Sequence, residues 1–173
     1  FKKRVNSDLV GKVINIASRS ASFVVKNYDK ELSAKCIEKS LYDEFVEAGT
    51  DIARHYEARN FSHAMRLIMK LADKANQYID EKKPWQLAKI EGKEKEVHEI
   101  TSLAINLFKV LMTYLKPVLP ELARRSEEFL NVDSLNWSDI ENPLTNHKIN
   151  KFKPLMMRIE DDQIDQMVES SKV

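Results

Sequence analysis

Apolar side chains recur at three- and four-residue steps along most of this chain, which is the spacing of one face of an α-helix. The first such run covers 8–28, with its apolar face at Val10, Val13, Ile14, Ala17, Ala21, Val24 and Tyr28. Polar residues follow the same rhythm on the opposite face, at Asp8, Lys12, Asn15, Arg19, Ser22 and Lys26. We therefore predict a first helix, capped by Asn6 or Ser7, on which Asn15 and Arg19 point outward one turn apart.

The same pattern predicts a second and a third helix. The second covers 41–59, and the third begins after Asn60, which is a suitable N-cap residue. Pro84 is expected to end the third helix, because the residue before a proline is disfavoured in the α region.

Two more helices follow, and then the character of the chain changes. The fourth, over 94–115, is apolar nearly all round and is expected to be the central one. The fifth runs from Pro120 to about Phe129. Beyond residue 131 the chain is irregular, with one helical turn predicted over 137–140 and a last helix starting near Asp161.

We therefore predict an all-α fold with two parts. Residues 1–131 form a bundle of about five main helices. Residues 132–173 form a C-terminal appendage that ends in a short helix and packs on the bundle or on a further domain.

Charge and cysteine content narrow the classes of function. Lys and Arg number 28 against 27 Asp and Glu, so the net charge is only +1 and any contact with nucleic acid must be local. Cys36 is the only cysteine, which predicts a reducing, cytoplasmic setting. The most apolar stretch, LAINLFKVLMTYL, contains Asn106, Lys109 and Thr113, so no membrane span is expected. The chain begins FKKRV without methionine, which predicts a fragment of a larger protein.

Catalytic signatures are missing from the sequence. The histidines, at 55, 63, 98 and 147, form no recognised metal-binding spacing, and there is neither a Gly-rich phosphate loop nor a G-x-S-x-G motif. The chain by itself is expected to be neither a catalyst nor a metal protein.

Trp85 admits two interpretations. A tryptophan in a small helical domain is usually a buried anchor. However, Trp85 follows Pro84 and the charged run Asp80–Glu81–Lys82–Lys83, and Lys89 lies one turn further on. An exposed indole flanked by lysines would instead offer a flat surface on which a nucleic-acid base can stack.

Four stretches, in order along nearly the whole chain, resemble the anticodon-binding domain of bacterial-type methionyl-tRNA synthetases. They are VNSDLVGKVINIASRSASF at 5–23, the pattern N-x-Y-I-D-x-x-x-P-W at 76–85, INLFKVLMTYLKPVLP at 105–120 and HKINKFKPLMMRI at 147–159. The resemblance implies a bundle of mostly antiparallel helices that follows a catalytic domain in a longer enzyme, and that binds the CAU anticodon of tRNA-Met.

The resemblance also implies roles for particular residues. Trp85, with Pro84, would stack on the first anticodon base, and Asn15 and Arg19 would contact the anticodon. Phosphate contacts or supporting roles would fall to Lys12, Lys26, Asp80, Lys82, Lys83 and Lys89. The whole enzyme would use ATP with Mg²⁺ and carry a structural zinc, and would form a homodimer through a further C-terminal domain.

Two alternatives stay open at this point. The equivalent helical domain of a sister class I synthetase, for isoleucine, valine, leucine or cysteine, would share the fold. A helical protein-interaction module would instead use Trp85 as an anchor residue.

Overall fold

The computed structural model describes the backbone of residues 2–153 and the side chains from residue 8 onward. This part of the chain is helical, as predicted, and within it the one β-type pairing is an isolated bridge between Glu31 and Lys148. The α-helices are α1 (Lys2–Asn27), α2 (Lys39–Glu47), α3 (Gly49–Glu57), α4 (Phe61–Lys82), α5 (Pro84–Leu87), α6 (Glu94–Leu115) and α7 (Pro120–Leu130), followed by a 3₁₀ turn at Trp137–Asp139. The helix predicted from Asp161 lies outside the described residues.

Helix α1 starts earlier than the sequence pattern indicated. It begins at Lys2, so Asn6 and Ser7 lie inside it and the prediction that either one caps it was wrong. A capping residue is not sufficient to start a helix when good helix formers such as Lys and Arg precede it without Gly or Pro. The predicted apolar face is buried, apart from the half-exposed Tyr28.

The predicted second helix is interrupted at Ala48, so the prediction of one continuous helix was wrong. Tyr114, on α6, places its hydroxyl between the two halves. The hydroxyl donates to the carbonyl of Phe45 at 2.6 Å and accepts from the backbone N–H of Gly49. A side chain inserted in this way replaces a backbone hydrogen bond and breaks the helix. A Cβ at Gly49 would lie 2.9 Å from the tyrosine oxygen, so glycine leaves the necessary room.

Helix α4 begins and ends where the sequence predicted. Asn60 holds the N-cap position, although its side chain makes no capping hydrogen bond. At the other end, Lys83 adopts a left-handed conformation, with φ 50° and ψ 60°. Pro84 then occupies the first turn of α5, where its fixed φ and missing N–H are tolerated.

Helix α6 is the central helix, as predicted, and is buried from Ile100 to Leu115. It runs antiparallel to α1, because Tyr28 at the end of α1 stacks on His98 near the start of α6. No helix within residues 2–153 has the length and apolar character needed to cross a membrane.

Residues 132–153 lie against the bundle and contribute Leu135, Ile140 and Ile149 to the same hydrophobic core. Two polar side chains of α6 hold this segment. The side-chain oxygen of Asn106 accepts from the N–H of Leu144 at 2.7 Å, and its side-chain nitrogen donates to the carbonyl of Leu144 at 3.0 Å. Lys109, only 5% exposed, donates to two backbone carbonyls, those of Asp139 and Asn142. The division of the chain at residue 131 stays a prediction.

Candidate nucleic-acid interface

A row of polar side chains joins α1 to α4 on the bundle surface. Each pair is separated by 61 positions along the chain, so the two helices run parallel and in register, an exception to the mostly antiparallel arrangement that the resemblance implied. The pairs are Lys12–Asp73 at 2.7 Å, Asn15–Asn76 at 3.2 Å and Arg19–Asp80 at 2.5 Å.

Trp85 lies at the end of this row and is exposed to solvent. The relative solvent-accessible surface of Trp85 is 37%, whereas the neighbouring Pro84 is buried. The left-handed Lys83 turns the chain out of α4, and Pro84 anchors the turn, so the indole is carried on the surface of the short helix α5. The exposed position does not fit a fully buried core anchor.

Arg19 connects the row to the indole. Its guanidinium carbon lies 5.0 Å from the centre of the Trp85 ring, which is within cation–π distance. The same guanidinium bonds Asp80, whose side chain is 62% exposed. An ion pair with such an exposed partner contributes about 0–1 kcal/mol, so a ligand can replace it at small cost. Asn15, Arg19 and Trp85 together present hydrogen-bonding groups beside an aromatic surface.

The lysines suggested for phosphate contacts differ in their surroundings. Lys12 pairs with Asp73, and Lys82 lies 3.8 Å from Glu38 and over the ring of Tyr78. Burial raises the pKa of the Tyr78 hydroxyl, which therefore stays neutral. Of the suggested lysines, Lys26, Lys83 and Lys89 are exposed and have no ion pair among the described side chains.

Asn76 and Asp73 are two members of the row to which the sequence assigned no role. Both residues lie on α4, before the Pro84–Trp85 pair, and Asn76 is the first residue of the quoted pattern N-x-Y-I-D. The sequence did offer one indication of a role for Asn76: it is a polar residue next to the apolar positions Ala72, Ala75 and Ile79 of the helix. The register between α1 and α4, which brings these residues to Lys12 and Asn15, is a property of the packed bundle.

Trp137 and two of the histidines have partners outside this row. Trp137 packs on Tyr114, with ring centres 4.8 Å apart, in agreement with a packing role. Two histidines bond backbone carbonyls: His98 that of Glu31 and His147 that of Leu130. In the described part of the chain, no three His, Cys, Asp or Glu side chains are placed to hold a metal ion.

Comparison with known proteins identifies the family. Residues 31–170 match the family model described as the anticodon binding domain of methionyl tRNA ligase. The chain is 63% identical to the methionine–tRNA ligase of Vesicomyosocius okutanii over 172 residues, which are 99% of this chain and 32% of that protein. It is 59% identical to the methionine–tRNA ligase of Psychrobacter cryohalolentis over the same share of this chain and 25% of that protein. The chain thus spans a third or less of these curated relatives.

Solved structures share the fold at lower identity. The apo form of Mycobacterium tuberculosis methionyl-tRNA synthetase matches 88% of this chain and 34% of its own, with a TM-score of 0.76 and 21% identity. The complex of that enzyme with methionyl-adenylate matches 87% of this chain and 31% of its own, with a TM-score of 0.78 and 22% identity. With the family match covering most of its length, the chain belongs to the anticodon-binding domain family of methionyl-tRNA ligases.

Proposed function

We propose that this chain binds the anticodon loop of a tRNA with the anticodon CAU, as the RNA-reading part of a methionine–tRNA ligase. The observation that carries the proposal is the exposed Trp85, with Asn15 and Arg19 on the same surface. Family membership supports it independently.

In this proposal, Trp85 stacks on the first anticodon base. An unpaired base offers a flat face, and stacking on an aromatic side chain contributes about 1–3 kcal/mol. Because Arg19 already lies over the indole, a base that stacks there contacts the guanidinium or displaces it.

Arg19 and Asn15 then read the edge of the base. Cytosine presents two acceptors, O2 and N3, and a donor at the N4 amino group. Arg19 supplies only donors, in a fixed planar fork, and Asn15 supplies both kinds of group. Asp80 would orient Arg19 through the 2.5 Å contact until RNA binds.

The surrounding lysines would contact the phosphates of the loop. Lys83 and Lys89 flank Trp85 in sequence and are exposed. Lys26 lies seven positions after Arg19 on α1, about 10 Å along the helix axis. Lys12 and Lys82 would have to leave their carboxylate partners, Asp73 and Glu38, to make such contacts.

The activity of the whole enzyme is part of the proposal. A catalytic domain outside this chain would join methionine to tRNA with ATP and Mg²⁺ and carry the structural zinc, while this chain binds RNA without catalysis. Residues 132–173 would pack partly against that domain. A homodimer through another domain and a cytoplasmic location, where translation takes place, complete the proposal.

The relatives favour the methionine enzyme over its sister synthetases, because both curated relatives carry the same enzyme name. The interaction-module alternative predicts a different ligand. In that case Trp85 would anchor a protein partner and the chain would ignore RNA.

Binding of labelled RNA hairpins tests the proposal. The 173-residue chain would be titrated against anticodon stem-loops that differ only in the first anticodon base, with fluorescence anisotropy as the readout. The proposal expects the CAU loop to bind most tightly and a fully paired hairpin of equal length, the control, to bind weakly. Equal affinity for all four loops would overturn specific recognition of CAU.

A further inference from the structure

The side-chain amide of Asn76 is held in one orientation by two backbone carbonyls. Its Nδ2 donates to the carbonyl of Lys12 on α1 at 3.0 Å and to the carbonyl of Ala72 on α4 at 3.2 Å. A rotated amide would point Oδ1, an acceptor, at these two acceptors, so the network assigns the orientation. The Oδ1 of Asn76 therefore faces the neighbouring Asn15.

This orientation determines which end of the Asn15 amide faces outward. Asn15 Nδ2 donates to Asn76 Oδ1 at 3.2 Å. A rotated Asn15 would bring two acceptor oxygens together and lose this hydrogen bond. The Oδ1 of Asn15 is thus left toward solvent, and within the described structure no group donates to it. Asn15 itself is exposed, so a ligand can reach this oxygen.

The outward acceptor distinguishes the two pyrimidines. Cytosine carries an amino donor at N4, beside the acceptor N3. Uracil has the reverse pattern, with an acceptor at O4 and a donor at N3. An amide that presents oxygen matches N4 of cytosine and opposes O4 of uracil, whereas a freely rotating amide matches either base.

We propose that Asn76 is a positioning residue that selects cytosine over uracil at the first anticodon position by fixing the amide of Asn15. The inference rests on the proposed function, since it assumes that Asn15 reads that base. Asn76 need not touch the RNA. Its effect passes through the 3.2 Å hydrogen bond to Asn15.

The test compares hairpins with CAU and UAU loops on five proteins: wild type, Asn76→Ala, Asn15→Ala, the double variant and Gln77→Ala. Gln77 is the matched control, because it is an exposed amide on α4 whose side chain bonds Glu81 and no other residue among those described. Alanine favours helix at both positions, so these variants are expected to fold, which urea unfolding would verify. If Asn76→Ala does not fold, Asn76→Ser replaces it.

The expected result is a fall of about tenfold in the CAU-to-UAU affinity ratio for Asn76→Ala, the size of one hydrogen-bond mismatch. Gln77→Ala should keep the wild-type ratio, and Asn76→Ala should change nothing further when Asn15 is already alanine.

Two outcomes would overturn the inference: equal weakening of both hairpins by Asn76→Ala, or an effect on the ratio that persists without Asn15. Wild-type protein that binds neither hairpin would instead refute the proposed function, so the two failures are distinguishable.

Discussion

Polar side chains occur both on the central helix α6 and on the outer face of α1, but their partners differ in kind. On α6, Asn106 and Lys109 are nearly inaccessible to solvent and bond backbone groups of the segment 139–144. These partners cannot move away without unpacking the segment. Buried polar groups of this kind are paired because an unpaired group in the interior costs free energy.

On α1, the partners of Asn15 and Arg19 are other side chains at the surface, Asn76 and Asp80. Water or a ligand can replace the exposed Arg19–Asp80 ion pair with little loss of stability, and a ligand can reach the exposed Asn15 without breaking its hydrogen bond to Asn76. The comparison indicates that the α6 side chains serve the packing of the segment 139–144, whereas the α1 side chains stay accessible to a ligand, as the proposed RNA contact requires.

The largest effect on stability is expected from Asn106→Leu. The change leaves the N–H and the carbonyl of Leu144 without their partner, which should cost about 2–3 kcal/mol of unfolding free energy. Urea unfolding measures this loss, and Gln77→Leu, which changes an exposed amide, is the control. Hairpin affinity of the folded protein should be unchanged. A loss of RNA binding in fully folded Asn106→Leu would contradict the division of roles.

Trp85→Ala should have the opposite profile. Loss of a base–aromatic stack is expected to weaken CAU hairpin binding by ~1–3 kcal/mol, and Trp85→Phe should keep part of the affinity, because a smaller ring still offers a face. Stability should change little, since the side chain is already partly exposed. Unfolding and hairpin titration on the same samples separate the two quantities. A severe fall in the unfolding midpoint with normal binding by the folded fraction would make Trp85 a core residue.

Arg19→Ala should reduce base selectivity more than stability. We expect a loss of about 1–2 kcal/mol on the CAU hairpin and a smaller loss on hairpins with another first base, because a contact to a base edge is specific. Arg124→Ala is a matched control, since Arg124 also pairs with carboxylates but lies on α7. Equal losses on all hairpins, together with a salt dependence lower by about 0.7 per contact, would assign Arg19 to a phosphate.

Lys109→Met is expected to change the unfolding free energy at neutral pH by no more than about 1 kcal/mol, because the lost hydrogen bonds are offset by removal of a buried charge. Burial lowers the pKa of Lys109 below its ordinary value of 10.5. Between the lowered and the ordinary value the unfolded chain binds more protons, so this group's contribution to stability rises with pH. The advantage of wild type over Lys109→Met should therefore grow as pH rises toward 10, with Lys74→Met as an exposed control. An advantage that shrinks would contradict this account.

Local patterns in the sequence were sufficient for the long helices and for the outward face of α1. The prediction of a helix over 94–115 coincides with α6. The acidic residues at its start and the proline after its end mark both helix boundaries in the sequence. The break at Ala48 was not predictable, since it depends on the hydroxyl of Tyr114, which is distant along the chain.

The candidate site could be predicted only in part for the same reason. Helical spacing places Asn15 and Arg19 together, but their partners Asn76 and Asp80 depend on how α1 packs on α4. The two interpretations of Trp85 also could not be separated from the sequence. They are distinguished by the left-handed conformation of Lys83, which turns the chain so that Trp85 lies at the surface.

The indole N–H signals of the two tryptophans, Trp85 and Trp137, report directly on whether RNA binds at Trp85. In a ¹H–¹⁵N spectrum of the chain titrated with the CAU hairpin, the Trp85 signal should shift or broaden. The Trp137 signal, from a ring packed on Tyr114, should stay in place. Substitution of each tryptophan by phenylalanine assigns the two signals. A Trp85 signal that does not change at saturating RNA, or a Trp137 signal that alone responds, would contradict the claim that the α1–α4–α5 surface reads the anticodon.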